Sequence, residues 1–296
     1  MPLGIVGLMK PYELLEGTID LHIHAGPDLF PRPLDEIDVV RQAKEIGMRG
    51  VLLKSHFTIN ADRVYSIRKQ IDGIEVFGSV ILNYAVGGIN PEAVFAGLNF
   101  GARRVEMPTV DAKTHIEMFG RTYPWSKLKL PEVEGISILQ GDGTPVPGLQ
   151  KIFDMVAAHD AILATGHLTS QERQYLVTEA RKAGVKKILV THADLDIVSV
   201  SVEEQKKLAD MGAYIEHSFT PCTHLRQRLD PRRIAEAIKA VGAERCILSS
   251  DMGQPVNPIP VEGFRIFITT MLHLGISQKE IDVMTKTNPA KLLNLL

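Results

Sequence analysis

Short apolar runs alternate along this chain with longer segments whose apolar residues recur every three or four positions, the pattern of strands feeding helices. The first run, Thr18-Ile-Asp-Leu-His-Ile-His24, stops at Ala25-Gly26-Pro27 and predicts strand one. Residues 34–46 carry apolar side chains at helical spacing and end at Gly47, so a helix is expected there. A second strand is expected over 51–56, and Asn60 is placed to cap a helix reaching about residue 71. Residues 75–82 predict strand three, and Asn90-Pro91 supplies an N-cap and a first helical residue. The rhythm continues with strands expected at 102–106, 161–167, 187–192, 213–217 and 245–251. Helix starts are expected at Ser170, at Ser201 with Glu204 as a capping box, at Asp230-Pro231, and at Ser277 with Glu280.

Eight strand–helix units in 296 residues, with no break in composition, predict an α/β chain folded as a single-domain TIM-type (β/α)8 barrel. An open doubly wound sheet is the runner-up. One connection departs from the even spacing: residues 107–147, after strand four, form a long insertion holding His115, Arg121, Tyr123 and Trp125. A connection of that length is either a functional lid or decoration. The closing stretch, 288–293, is expected to complete the outer layer of the barrel.

Composition narrows the setting more than the chemistry. With 45% hydrophobic residues the chain can bury a sizeable core, and a net charge of −2 offers no basic field for nucleic acid or an anionic membrane. Cys222 and Cys246 make neither a disulfide framework nor a Cys-x-x-Cys zinc signature. The first ten residues lack the basic and apolar regions of a targeting segment. The expectation is a cytoplasmic protein that meets a small-molecule substrate and no nucleic acid or membrane partner; oligomeric state is not legible.

Chemistry enters through position. Six histidines, His22, His24, His56, His167, His192 and His217, fall at predicted C-terminal strand ends, with Glu106 and Asp251 at two more. That rim is where the loops of a barrel converge. His22 and His24, two residues apart, share a strand face and make half of a metal site, unless they are polar strand ends bonded to loop backbone. His167, His192 and Asp251 add two imidazoles and a carboxylate facing that pair. Glu106 shares a face with Arg104, so a salt bridge competes with ligation. Lys54 and His56 share a face on strand two; both are candidates to touch substrate, and Lys54 could polarise a carbonyl or neutralise carboxylates. Arg121 and Arg32 are candidates to hold a substrate carboxylate. His217 is read as supporting catalysis rather than as a ligand, and His115, His159, His224 and His273 as surface or loop residues.

The ordered set resembles the amidohydrolase superfamily: His22-x-His24 on strand one, Glu106 on four, His167 on five, His192 on six, Asp251 on eight, and a tail similar to Asn288-Pro289-Ala290-Lys291-Leu292-Leu293. The resemblance implies that His22, His24 and Asp251 hold one divalent metal and His167 and His192 a second, with Glu106 bridging in place of the family's carboxylated lysine. It also implies a metal-dependent hydrolase in which an activated hydroxide attacks an amide, ester, lactone or phosphoester and Asp251 shuttles the proton. Zinc is the first expectation, with manganese or iron as alternatives. A mononuclear version, with His22, His24, His167 and Asp251 as ligands and His192 polarising the substrate, is similar to the deaminase and decarboxylase branches. A non-catalytic metal-binding barrel is the third reading. With about seventeen residues before strand one, the chain looks like the compact, barrel-only type.

Overall fold

The computed structural model describes residues 12–123 and 125–296; the first ten residues, which bear on the expectation of no targeting segment, lie outside them. Its strands are β1 (Ile19–His24), β2 (Gly50–Lys54), β3 (Glu75–Phe77 and Ser79–Ile81), β4 (Arg104–Glu106), β5 (Ile162–Ala164), β6 (Lys187–Val190), β7 (Tyr214–Ser218) and β8 (Cys246–Ser249). Every pairing between neighbours is parallel and follows chain order. The ladder has two seams. At the first, β3 is interrupted at Gly78, where a Cβ would sit 2.7 Å from Ala61 Cα. Asn60 bridges that break: its Oδ1 accepts from Ser79 N at 2.7 Å. Asn60 does hold the N-cap position of the next helix, but its side chain is spent on the sheet and makes no cap bond.

At the second seam the first and last strands meet. Asp251 N donates to His22 O and His24 N to Met252 O, both at 2.9 Å. Below them the Asp20 carboxylate accepts from Ser250 N at 3.1 Å, standing in for a missing ladder bond. The strands therefore close into the expected (β/α)8 ring.

The helices pack outside. They are α1 (Glu36–Glu45), α2 (Ala61–Gln70), α3 (Pro91–Asn99), α4 (Lys113–Phe119), α5 (Leu149–Ala158), α6 (Ser170–Lys182), α7 (Val202–Asp210), α8 (Pro231–Val241), α9 (Pro260–His273), α10 (Gln278–Asp282) and α11 (Asn288–Leu292). The cap of α6 is Thr169, one residue before the expected start, in a full capping box with Glu172. Ser201 caps α7, but Glu204 turns its carboxylate to Arg173 instead of completing the box. None of the helices among the described residues is long and apolar enough to cross a membrane.

Alternation along each strand sends one set of side chains to the helices and the other into the barrel. Inward-facing Ile19, Leu21, Leu52, Phe77, Ile162, Ala164, Leu189 and Ile247 build an apolar floor. Ala290, Leu292 and Leu293 join the same cluster, so α11 and the residue after it plug the bottom of the barrel, a correction to the expected role in the outer layer. The reason is simple: without the plug, the apolar lower ends of the inward rows would face water. Asn288 pins the plug by donating from Nδ2 to Ala243 O and Cys246 O, each at 2.9 Å.

Candidate metal centre

A register shift in β1 is what turns its histidines inward. Ile19 pairs with Gly50 and Asp20 with Val51, but Ile23 pairs with Leu53, so three steps on β1 match two on β2. This is the two-against-one count of a bulge. Leu21 therefore faces the floor, Ile23 joins Val51 and Leu53 in the outer core, and both His22 and His24 rise toward the mouth. Strict alternation would have put Leu21 and Ile23 on the same side. The other rim residues lie just past their strands: His56 two residues beyond β2, His167 three beyond β5, His192 and Asp251 two beyond β6 and β8. His192 and Asp251 adopt left-handed backbone, φ +28° and +52°, a conformation uncommon for non-glycine residues and concentrated at functional sites. Gly166, before His167, has φ +53°, and a side chain there would collide with the Met107 carbonyl.

The donors converge in two groups. Asp251 Oδ1 lies 3.1 Å from His22 Nε2 and 3.3 Å from His24 Nε2. His167 Nε2 and His192 Nε2 face each other at 3.2 Å. One nitrogen or oxygen from each of His22, His192 and Asp251 falls within a single 4.8 Å cluster, linking the two groups. Tetrahedral bonds of about 2.0–2.1 Å to a zinc-like ion set adjacent donors about 3.3 Å apart, so the spacing and the nitrogen-rich chemistry fit a divalent metal.

The far sides of the rings bear on which lone pairs point inward. Glu216 Oε2 sits 3.2 Å from His22 Nδ1 and is placed to accept its proton, the tautomer that would turn the Nε2 lone pair to a metal; here Nε2 is shared by Asp251 Oδ1 at 3.1 Å and Lys54 Nζ at 2.8 Å. Behind His167 stands His115, with the rings stacked at 5.2 Å and the two Nδ1 atoms 3.2 Å apart. His115 Nε2 donates to Thr122 O at 3.2 Å, so its Nδ1 accepts from His167 and frees the His167 Nε2 lone pair. His115 is thus fully buried beside the centre, not the loop or surface residue expected; His159, His224 and His273 are exposed, as expected.

Burial depresses the pKa of His24, His56 and His167 well below the usual imidazole range and brings His192 down to about 4. These rings are neutral, the state that binds metal. His22 goes the other way: burial opposes charge, but the Asp251 and Glu216 carboxylates outweigh it and raise the pKa. The centre attracts a cation. Asp251 itself is held well below the carboxylate range, the pull of His22 and its hydrogen bonds overcoming the effect of burial.

Under the rim lies a belt of buried charge. Arg104 reaches both Glu106 Oε2 (Nε, 3.1 Å) and Glu216 Oε1 (Nη1, 3.2 Å). Lys54 Nζ contacts Glu106 Oε2 at 2.8 Å and His22 Nε2 at 2.8 Å. Burial alone would raise the Glu106 pKa, but Arg104 and Lys54 hold it down at about 2. The expected alternative for Glu106, a pair with Arg104, is therefore present, with Lys54 as a second partner. Glu216, inward on β7 beside outward His217, was not singled out from sequence, because strand register and not residue type decides which of the two faces the barrel.

Two sequence candidates fall away from the cavity. His217 faces the outer layer, next in chain to inward Glu216, and pairs through Nδ1 with Asp194 at 2.7 Å; a one-residue step along a strand reverses the side chain. Arg121 is bound to Asp111 and donates to Pro131 O at 3.1 Å. Lys54 and His56 do line the cavity, with His56 bridging Thr109 Oγ1 (2.9 Å) and the Tyr123 hydroxyl (3.2 Å). Tyr123 and Trp125 of the 107–147 segment roof it with Arg226, closing it to about 20 Å³, room for one or two waters.

The parallel barrel carries its imidazoles and carboxylate at the C-terminal ends of its strands. Residues 17–216 match the model of a family of unknown function, DUF6282, and the chain belongs to that family. No curated protein matches the sequence. Among solved structures, an amidohydrolase from Pseudomonas aeruginosa superposes with a TM-score of 0.65 at 14% identity, covering 97% of this chain and 98% of that one. A dipeptidase of the metallopeptidase type gives 0.63 at 10% identity, covering 95% and 98%. The organophosphorus hydrolase from Deinococcus radiodurans gives 0.61 at 14% identity, covering 96% and 94%. At these identities the likeness is one of fold, and it bears out the barrel expected from the strand–helix rhythm.

Proposed function

We propose that the barrel mouth is a divalent-metal centre and that the protein is a metal-dependent hydrolase of a small molecule, cleaving an amide, ester, lactone or phosphoester bond. The observation that carries the reading is the pair of adjacent donor groups at 3.1–3.3 Å, with the outer nitrogens of His22 and His167 tied to Glu216 and His115 and one donor each of His22, His192 and Asp251 joining the groups. The dipeptidase and the organophosphorus hydrolase of similar fold support hydrolysis as the reaction type.

In this reading His22, His24 and Asp251 hold one ion and His167 and His192 a second. Nitrogen-rich donors favour zinc, with manganese or iron as alternatives. When bound, the metal supplies Lewis acidity and a water acidified toward neutral pH. The protein's own part is positional. Asp251, kept ionised, takes a proton from the attacking water and passes it to the leaving group. Lys54 keeps Glu106 charged and places an ammonium beside the centre. Tyr123 and Trp125, on the 107–147 segment as a lid, exclude bulk water. The two free cysteines, Cys222 and Cys246, suit a reducing cytoplasm.

A second reading, a single-metal decarboxylase or deaminase, is favoured by one feature: both Glu106 oxygens are already engaged by Lys54 and Arg104, which competes with a bridging role. Elemental analysis separates the two. Two ions per chain support the binuclear hydrolase, one supports the alternative, and none after reconstitution overturns both. Asp251→Asn should lower kcat by roughly 10²–10⁴-fold with KM little changed; wild-type turnover in that variant would eliminate Asp251 as the proton carrier.

A further inference from the structure

Two arginines, Arg32 and Arg226, line the mouth, and a third, Arg121, lies away from the cavity; Arg32 and Arg121 are tied. Arg32 donates from Nε and Nη2 to Asp28 and from Nη1 to Gly253 O. Arg121 is bound to Asp111. Arg226 differs. Its guanidinium lines the cavity, lying 5.4–5.5 Å from the ring centres of Phe119, Tyr123 and Trp125, yet it meets no carboxylate among the described residues. Its Nε and Nη1 are shut off from solvent without an acceptor among the described residues, and so is the indole Nε1 of Trp125, in the wall of the same cavity. Both groups are donors only. Leaving such donors buried and unmade is costly, more so for a charged one.

We propose that Arg226 and Trp125 form the specificity subsite for an oxyanionic group, carboxylate or phosphate, carried by the substrate at the end away from the bond that reacts. The aromatic rings around Arg226 hold its guanidinium plane without neutralising it, because a ring face attracts the cation but accepts no strong hydrogen bond. An oxyanion supplies acceptors for the guanidinium and the indole together, in the charge-assisted geometry arginine favours. Arg32 and Lys54 line the same cavity but are each paired with a carboxylate, Asp28 and Glu106, which leaves Arg226 as the cation of its wall with no carboxylate partner among the described residues. Naming this anion as part of the substrate rests on the hydrolase reading; its capture by Arg226 does not.

Trp125 is the chain's one tryptophan, so its fluorescence reports binding at the subsite directly. Wild-type protein, both metal-loaded and chelator-treated, is titrated with succinate and, separately, with inorganic phosphate, and metal content is measured on the same samples. A saturable fluorescence change is expected with at least one anion, and the tighter of the two identifies the source. Arg226→Gln should weaken that binding at least about tenfold, Arg226→Lys should restore part of it, and the metal content of both should stay at the wild-type value. No saturable change with either anion, or equal affinity in Arg226→Gln, overturns the proposal. Arg226-dependent anion binding in a protein that takes up no metal would sink the hydrolase reading and leave the subsite standing; metal uptake with Arg226-independent binding would do the reverse.

Discussion

The floor and the mouth of this barrel are built by the same strands, a few residues apart, and obey opposite rules. The floor is a closed apolar plug in which Leu21, Ile162 and Ile247 meet Leu292 and Leu293 of the C-terminal segment. At the mouth most inward groups are ionisable, and several atoms, among them His24 Nδ1, His192 Nδ1 and Trp125 Nε1, are buried without a partner among the described residues. The belt of Arg104, Glu106, Glu216 and Lys54 separates the two. Folding free energy is gathered in the floor and put at risk in the mouth, the division expected where stability and chemistry share one scaffold.

The belt is where the comparison breaks most visibly. Arg104 is completely buried and is the shared partner of two carboxylates. Arg104→Met leaves Glu106 and Glu216 buried with one cation, Lys54, between them. A loss of about 3–5 kcal/mol is expected, the cost of removing one member from a buried ionic group. Urea unfolding followed by circular dichroism measures it, and a loss under 1 kcal/mol would mean that the belt is not a structural unit. In the floor, Leu21→Ala should cost about 2–5 kcal/mol, by transfer and cavity terms, while leaving metal stoichiometry at the wild-type value. A floor variant that keeps its fold but loses metal would show that the two layers are not separable.

Much of this contrast could be read from the chain. The strand–helix rhythm predicted eight parallel units, and the placement of His22, His24, His167, His192 and Asp251 after apolar runs predicted which end carries polar groups. The structure brings those five together. What escaped has physical causes. Strand register decides side-chain direction, and one residue separates inward Glu216 from outward His217, so a histidine at a strand end was singled out and the glutamate beside it passed over. The β1 bulge lies inside a continuous Ile-Asp-Leu-His-Ile-His pattern with no glycine to mark it. Arg121 and Arg226 are indistinguishable in sequence; only tertiary placement gives Asp111 to one and a ring of aromatics to the other. The same holds for His115, which lies on α4 in a connection and reaches the centre only because that connection folds back over the mouth.

His115 supplies the finest test of the contrast, because it is part of the mouth without being aimed at the donors' meeting point. Its Nδ1 accepts the His167 proton; a leucine there keeps the volume but leaves His167 Nδ1–H without an acceptor and its ring free to take the other tautomer. His115→Leu should weaken metal affinity by roughly 10–100-fold, the range for partners that orient a ligand, with unfolding free energy changed by no more than about 1–2 kcal/mol. Competition with a chromophoric chelator reads the first quantity and urea unfolding the second. His115→Gln, whose amide oxygen can accept in place of Nδ1, should recover part of the affinity. If His115→Leu binds metal as tightly as wild type, the tautomer of His167 is set by something else; if affinity and stability fall together by similar free energies, the mouth is structural in the same sense as the floor, and the division between them fails.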